Sequence, residues 1–376
     1  PVRAASVLRN PTEFCRGRLF LSLHGASVEA IGQAQAYEQK SWGHIVCPTN
    51  RRPYGFDWED WGRLDAMEVL ELAQRQLGTD PARTYLTGHS MGGHGAWHLG
   101  ATFPDRFAAI GPSAGWISFW SYAGARMPEK ASPVDEFLLR AVSPSDTLSL
   151  ARNCARHGVY ILHGGADDNV PADQSLEMQR RLAAFHRDFA YHEQPGAGHW
   201  WDASDEPGTD CVDWAPMFDF FARRAIPPDE AVREVDFTTA NPEVSASSHW
   251  LRVEAQARQL RPSSVKARFD PGRRRFRSTT DNVARLAFRL GHIAPAAPLS
   301  FELDGQKLEQ VPWPAMGGDV FLERKDGAWR LAARPEPSFK GPHRYGPFKH
   351  AFKNRVVLVY GTKGTPEENA WSFAKA

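Results

Sequence analysis

No stretch of this 376-residue chain approaches the ~18 uninterrupted apolar residues of a membrane helix, and its first turns hold no apolar signal core. No membrane span is predicted. The chain begins at Pro1 rather than Met, which leaves its compartment, cytoplasmic or exported, open. Cysteine is scarce: Cys15, Cys47, Cys154 and Cys211 are widely separated and form no CxxC pair, which excludes the usual zinc and thiol-redox spacings. Buried thiols are expected, with one or two disulfides as the alternative in an exported protein. There is no HExxH, no GxGxxG and no internal repeat. Net charge is nearly absent, 45 basic residues against 44 acidic ones, yet unevenly spread: 24 against 17 from Asp229 onward, and 21 against 27 before it. Such asymmetry fits either an anionic partner for the second half or contact between the halves. What is present, 42% hydrophobic and 24% charged residues with 31 Gly and 28 Pro, excludes collagen, coiled coil and wholesale disorder.

The length fits two domains. From Gly17 to about Ile226, short apolar runs alternate with amphipathic stretches, the pattern of a mostly parallel, doubly wound sheet covered by helices. Strands are predicted over Arg18–Leu23, His44–Cys47, Thr84–Thr87, Phe107–Gly111, Val159–Leu162 and Phe189–Glu193, and helices over Gly62–Leu77, Gly92–Thr102 and Ala172–Arg187. A Trp-rich irregular stretch covers Trp116–Met127. After Ile226-Pro227-Pro228 the texture changes to alternating β-branched and polar segments separated by turns such as Asp270-Pro271-Gly272, which predicts a small antiparallel β-sandwich. Its cluster Arg273, Arg274, Arg275 and Arg277 sits beside a hairpin turn without an aromatic platform, so a solvated tip is expected and no nucleic-acid partner. The expected division is 1–228 catalytic, 229–333 sandwich, and 334–376 a linker with a strand–loop–helix tail. That tail is either the start of a further unit or an end that docks on one of the two domains.

Chemistry enters with Gly88-His89-Ser90-Met91-Gly92, placed after a predicted strand and before a predicted helix. That context makes G-x-S-x-G a nucleophile elbow, because its glycines allow strand and helix backbones to pack closely. A serine hydroxyl needs a base and an acid to orient that base. Both follow at strand ends: a carboxylate loop, His163 to Pro171, holding Asp167 and Asp168, and a glycine-flanked histidine, His199, in Gly196 to Trp200.

Together LHGA, TGHSMGGHGAW, HGGADDNVP and GAGHWW, spread over about Leu19 to Phe221, resemble the α/β-hydrolase superfamily, specifically its prolyl-oligopeptidase-like and polyhydroxybutyrate-depolymerase-like or feruloyl-esterase-like branch. The resemblance implies an α/β-hydrolase fold followed by the sandwich. Since the triad aspartate in that branch lies three residues before the valine of DxxVP, it selects Asp167 as the triad acid. It further implies Ser90 as nucleophile, His199 as general base, and the backbone N–H groups of Met91 and Ala26 as oxyanion hole. Met91 follows the nucleophile and Ala26 ends the neighbouring strand, as such a hole requires.

His94 and His98, four apart on a predicted helix, lack further ligands of metal spacing and are read as packing residues, so no metal and no cofactor are expected. His24 and His163 are read as loop braces. His89, Trp116, Trp200, Tyr54 and Arg52 are candidate substrate contacts. Trp58, Trp61, Trp97, Trp120 and Trp201 also fall in or beside the predicted rim, as aromatic walls for an aryl or sugar ester. Arg51 and Asp57, on the same loop as Arg52 and Tyr54, are set between substrate contact and structural network. The expected activity is hydrolysis of short-chain or aromatic carboxylic esters, with a small-molecule substrate and the oligomeric state left open. A prolyl-oligopeptidase-like peptidase is the alternative, disfavoured by the short segment before the first strand. A non-catalytic binding protein on the same fold is a more distant one.

Overall fold

The computed structural model describes residues 17–51, 55, 57–122, 129–295, 297–314, 318–346, 357 and 359–375. The first half is built on a six-stranded parallel sheet. In chain order its elements are β1 (Leu19–Leu23), α1 (Ala30–Gln35), β2 (His44–Val46), α2 (Trp61–Leu77), β3 (Thr84–His89), α3 (Met91–Thr102), β4 (Ala109–Ser113), α4 (Pro133–Val142), α5 (Thr147–Leu150), β5 (Gly158–Gly164), α6 (Asp173–Ala183), β6 (Phe189–Gln194) and α7 (Ala215–Ala222). Strand order is β2-β1-β3-β4-β5-β6, all parallel. This is the α/β-hydrolase arrangement. Residues of β1, β3, β4 and β5 are buried throughout, which explains continuous apolar runs in place of alternation. Helix α3 is buried on every side, possible because four of its twelve residues are glycine or alanine within its first six positions.

Every strand predicted here is found, with ends shifted by one or two residues. Missed were α1, α4, α5 and α7. For α4 the sequence does hold a signal: Ser132 and Asp135 form a reciprocal capping box ahead of an amphipathic run.

The second half comprises β7 (Glu234–Thr239), β8 (Ser247–Ser248), β9 (Leu251–Gln256), β10 (Ser263–Asp270), β11 (Arg275–Asp281), β12 (Val283–Arg289), β13 (Leu299–Leu303), β14 (Gln306–Val311), β15 (Asp319–Lys325) and β16 (Ala328–Ala332). They form two five-stranded sheets, ordered β14-β13-β11-β10-β7 and β16-β15-β12-β9-β8. Their inner faces share one core that includes Trp250, Phe276, Phe288 and Phe301. One correction applies: the expected all-antiparallel pairing fails at β11 and β13, which run parallel. The connection from β11 to β13 passes through β12 in the opposite sheet, so the chain returns to the first sheet in its original direction. Strands β8, β14 and β15 were missed: β8 is only two residues long, and QKLEQV and DVFLERK carry polar or charged side chains on both faces. The tail helix is found as α8 (Pro366–Lys375), whereas of the strand expected over 355–360 residues 355, 356 and 358 lie outside the described residues and Val357, Val359 and Tyr360 are not in a strand.

The halves meet through buried Asn153, whose Nδ2 donates to the carbonyls of Ala101 (2.7 Å) and Thr238 (2.8 Å) while its Oδ1 accepts from Thr238 N–H (2.8 Å). Arg152 pairs with Asp236 at 2.8 Å. That pair runs from a base in the acidic half to an acid in the basic half, so net charge asymmetry is not what this contact uses. Cys47, Cys154 and Cys211 are buried free thiols, pushed up to about 12 by burial; Cys15 lies outside the described residues.

Candidate active site

Ser90 occupies the bend between β3 and α3 with φ 60° and ψ −120°, a strained conformation for a residue with a side chain. Its backbone N–H is held by the Ser113 carbonyl at 2.9 Å. The glycines around it are required by space: a Cβ on Gly88 would lie 2.4 Å from the Gly92 carbonyl oxygen, and one on Gly92 would lie 1.9 Å from that of Leu23.

Ser90, His199 and Asp167 are brought together as one hydrogen-bonded chain. Ser90 Oγ lies 2.8 Å from His199 Nε2, and His199 Nδ1 lies 2.8 Å from Asp167 Oδ2. Asp167 Oδ1 accepts the N–H groups of Asn169 and Val170, each at 2.9 Å. Buried His163 stands 3.3 Å from Oδ2 and is fixed by Ser175 Oγ (2.7 Å) and the Val170 carbonyl (2.8 Å). Burial works to raise the Asp167 pKa, but hydrogen bonds from His163, His199 and Val170 outweigh it and hold the carboxyl well below the usual range. Asp168, by contrast, is exposed. The Gly25–Ala26 peptide passes beside the nucleophile: a Cβ on Gly25 would lie 3.4 Å from Ser90 Cβ. Met91 opens α3. Among the described residues, no sandwich side chain hydrogen-bonds to Ser90 or His199.

Residues 51–225 match the model of the prolyl oligopeptidase family. The unit is a prolyl-oligopeptidase-like α/β-hydrolase. Over 197 residues the chain is 30% identical to an uncharacterized secreted protein of Arthroderma benhamiae, covering 49% of this chain and 21% of that protein. Over 178 residues it is 25% identical to the S-formylglutathione hydrolase of Paracoccus denitrificans, covering 45% and 57%. The chain thus spans only part of each relative. Among solved structures it is similar to esterase PE8 (21% identity, 53% of this chain and 92% of that one, TM-score 0.38) and to Pyrococcus horikoshii acylaminoacyl peptidase (18%, 58% and 38%, TM-score 0.42).

Around the serine of this prolyl-oligopeptidase-like unit, the other expected contacts are placed unevenly. Trp200 is 54% exposed, its indole edge-on to His89 at 5.2 Å. His89 itself is buried, its ring 4.9 Å from that of His199. Trp116 is also buried, stacked between His94 (4.7 Å) and Tyr122 (4.6 Å), so half-buried Tyr122 is the outer ring of that stack. Sequence reading missed it because a lone tyrosine in an irregular stretch has no periodicity. Tyr54 and Arg52 lie outside the described residues. Trp58, Trp97 and Trp201 are core residues rather than rim; Trp58 Nε1 donates to the His24 carbonyl at 3.0 Å. Trp61 is exposed and Trp120 half-buried.

His24 Nδ1 and Nε2 approach the carbonyls of Gly25 (2.8 Å) and Thr49 (3.2 Å), bracing the loop beside Ser90. His94 lies against Glu59 Oε1 (3.3 Å) and the Trp116 carbonyl (3.1 Å), and His98 against Arg63 (3.5 Å). Among the described residues no cluster of three or more metal-ligating side chains is found. Burial pushes the Asp57 carboxyl up to about 6, and Arg51 reaches Asp65 at 3.8 Å. No described helix is long and apolar enough to cross a membrane.

Proposed function

We propose that the chain hydrolyses carboxylic esters through an acyl-enzyme. Ser90 Oγ attacks the ester carbonyl as His199 Nε2 takes its proton, and the oxyanion is held by the N–H groups of Met91 and Ala26. Asp167 fixes the ring of His199 and balances the positive charge it acquires. Collapse releases the alcohol with the proton from His199, leaving Ser90 acylated. Water, deprotonated by His199, then attacks the acyl carbonyl and frees the acid. The observation that carries this reading is the unbroken Ser90–His199–Asp167 chain at 2.8 Å and 2.8 Å on a strained elbow.

Preference for short or aromatic acyl groups is drawn from the exposed Trp200 indole and the Tyr122–Trp116 stack, flat apolar surfaces suited to an aryl or sugar ring. The S-formylglutathione hydrolase relative agrees with a small acyl group. The second reading, a peptidase, is favoured by the family whose model matches residues 51–225. A panel of p-nitrophenyl esters, feruloyl and acetyl sugar esters and aminoacyl anilides decides between them. The ester reading expects short or aromatic esters to turn over fastest; faster cleavage of prolyl or alanyl anilides would establish the peptidase, and no turnover of any would point to a binding protein.

A further inference from the structure

His89 Nδ1 lies 3.1 Å from Ser113 Oγ, directly across the β3–β4 pairing, and Ser113 Oγ lies 2.5 Å from the Cys211 carbonyl. A serine hydroxyl has one proton and a carbonyl has none. Ser113 therefore donates to Cys211, and its oxygen can only accept from His89. The hydrogen sits on Nδ1. With the ring 3% exposed, burial, reinforced by neighbouring His199, pushes the His89 pKa down to about 3, so near neutral pH the ring carries that hydrogen alone. Nε2 is left as a bare lone pair on the edge away from Ser113, buried and without a hydrogen-bond partner among the described residues. An orphaned buried acceptor is destabilising, and such a group calls for a functional explanation.

The rings packed against His89 are those of His199 and Trp200. The charged or titratable groups facing it are His199, Asp167 and His163, and the last two are already engaged with each other. We propose that His89 is a positioning residue, locked by the Ser113–Cys211 relay in its Nδ1–H form so that the negative end of its dipole stands beside His199 and stabilises the positive charge that His199 takes up in each half-reaction. The opposite tautomer would turn an N–H toward that charge and oppose it. A charged His89 would be worse, and burial prevents it. His89 is itself buried, with Trp200 edge-on to its ring, so its dipole acts from a site little screened by water. The inference rests on the proposed Ser90–His199–Asp167 mechanism.

Two measurements on the full chain test it. Ring 15N shifts of histidine-labelled protein, assigned with His89→Gln, are expected to show Nδ1–H and bare Nε2 from about pH 5 to about pH 9; an Nε2–H tautomer overturns the proposal. The second is the pH dependence of Ser90 labelling by a fluorophosphonate. His89→Asn keeps the donor to Ser113 and removes the lone pair, whereas His89→Gln places a carbonyl oxygen near the position of Nε2. The acid limb for Asn is expected to move to lower pH by about one unit, a tenfold change in the protonation equilibrium, with the high-pH rate reduced, and Gln is expected to restore both. Profiles for Asn that superimpose on wild type, or equal displacement in Asn and Gln, overturn it. Should Asn fail to fold, the wild-type tautomer and Gln still decide. Absence of wild-type labelling would instead defeat the serine-hydrolase mechanism.

Discussion

Asp167 and Asp168 point opposite ways: the first places Oδ2 2.8 Å from His199 Nδ1, and the second is exposed to solvent. Asp167→Asn is expected to cut ester turnover roughly ten-thousandfold by favouring the wrong histidine tautomer, while Asp168→Asn changes it little. Steady-state kinetics of the two variants check this. A large loss in Asp168→Asn alone would reverse the assignment.

The closest approach at the elbow is between Gly92 and the Leu23 carbonyl. Gly92→Ala would put a Cβ 1.9 Å from that oxygen, with backbone on both sides and no flexible side chain to yield. A loss of about 4 kcal/mol or more is expected, large enough for most of the protein to be recovered insoluble. A variant with an unchanged melting temperature would show that strand and helix can separate at no cost.

Buried neutral histidines set the acid side of stability. His89 and His98 are pushed down to about 3 and His157 to about 4, each chiefly by burial, from 6.5 for a free ring. Below pH 6.5 the unfolded chain binds protons that the folded one does not, so stability falls as pH falls, until the folded rings protonate near pH 4 and 3. Around pH 5 the difference approaches three protons, about 4 kcal/mol per pH unit at its steepest. Denaturant unfolding between neutral pH and pH 5 measures the slope; a flat profile would contradict neutral burial.

Asn153 makes three hydrogen bonds to backbone, two of which, both to Thr238, join the halves. Asn153→Ala leaves those groups unpaired in a buried place and is expected to cost about 3 kcal/mol. Turnover per folded molecule should stay within about twofold, because no sandwich group enters the proposed reaction. Denaturant midpoints and active-site titration separate the two effects, and a large fall in turnover with stability unchanged would assign the sandwich a direct part.

Much of the parallel sheet was legible because its strands are short, apolar and closed by turns. The three residues of the hydrogen-bonded chain were legible because each sits in a glycine-marked loop at a strand end. Trp58, Trp97 and Trp201 were misplaced for the same reason that Tyr122 was missed: composition locates an aromatic near a loop, and only packing decides which ring faces inward. The Ser113–Cys211 relay was hidden because Cys211 is far away in sequence, although the pairing of His89 with Ser113 follows from the β3–β4 register. The parallel contact of β11 with β13 depends on a strand crossing between sheets, which no local pattern encodes.

The central claim is that Ser90 is a nucleophile activated by His199. It is tested most directly by intact mass after treatment with a fluorophosphonate, followed by peptide mapping. The mechanism predicts one adduct per chain, on Ser90, lost in Ser90→Ala and slowed at least a hundredfold in His199→Ala, the low end of what a general base contributes. Labelling elsewhere, or labelling of Ser90 at the same rate without His199, would contradict it.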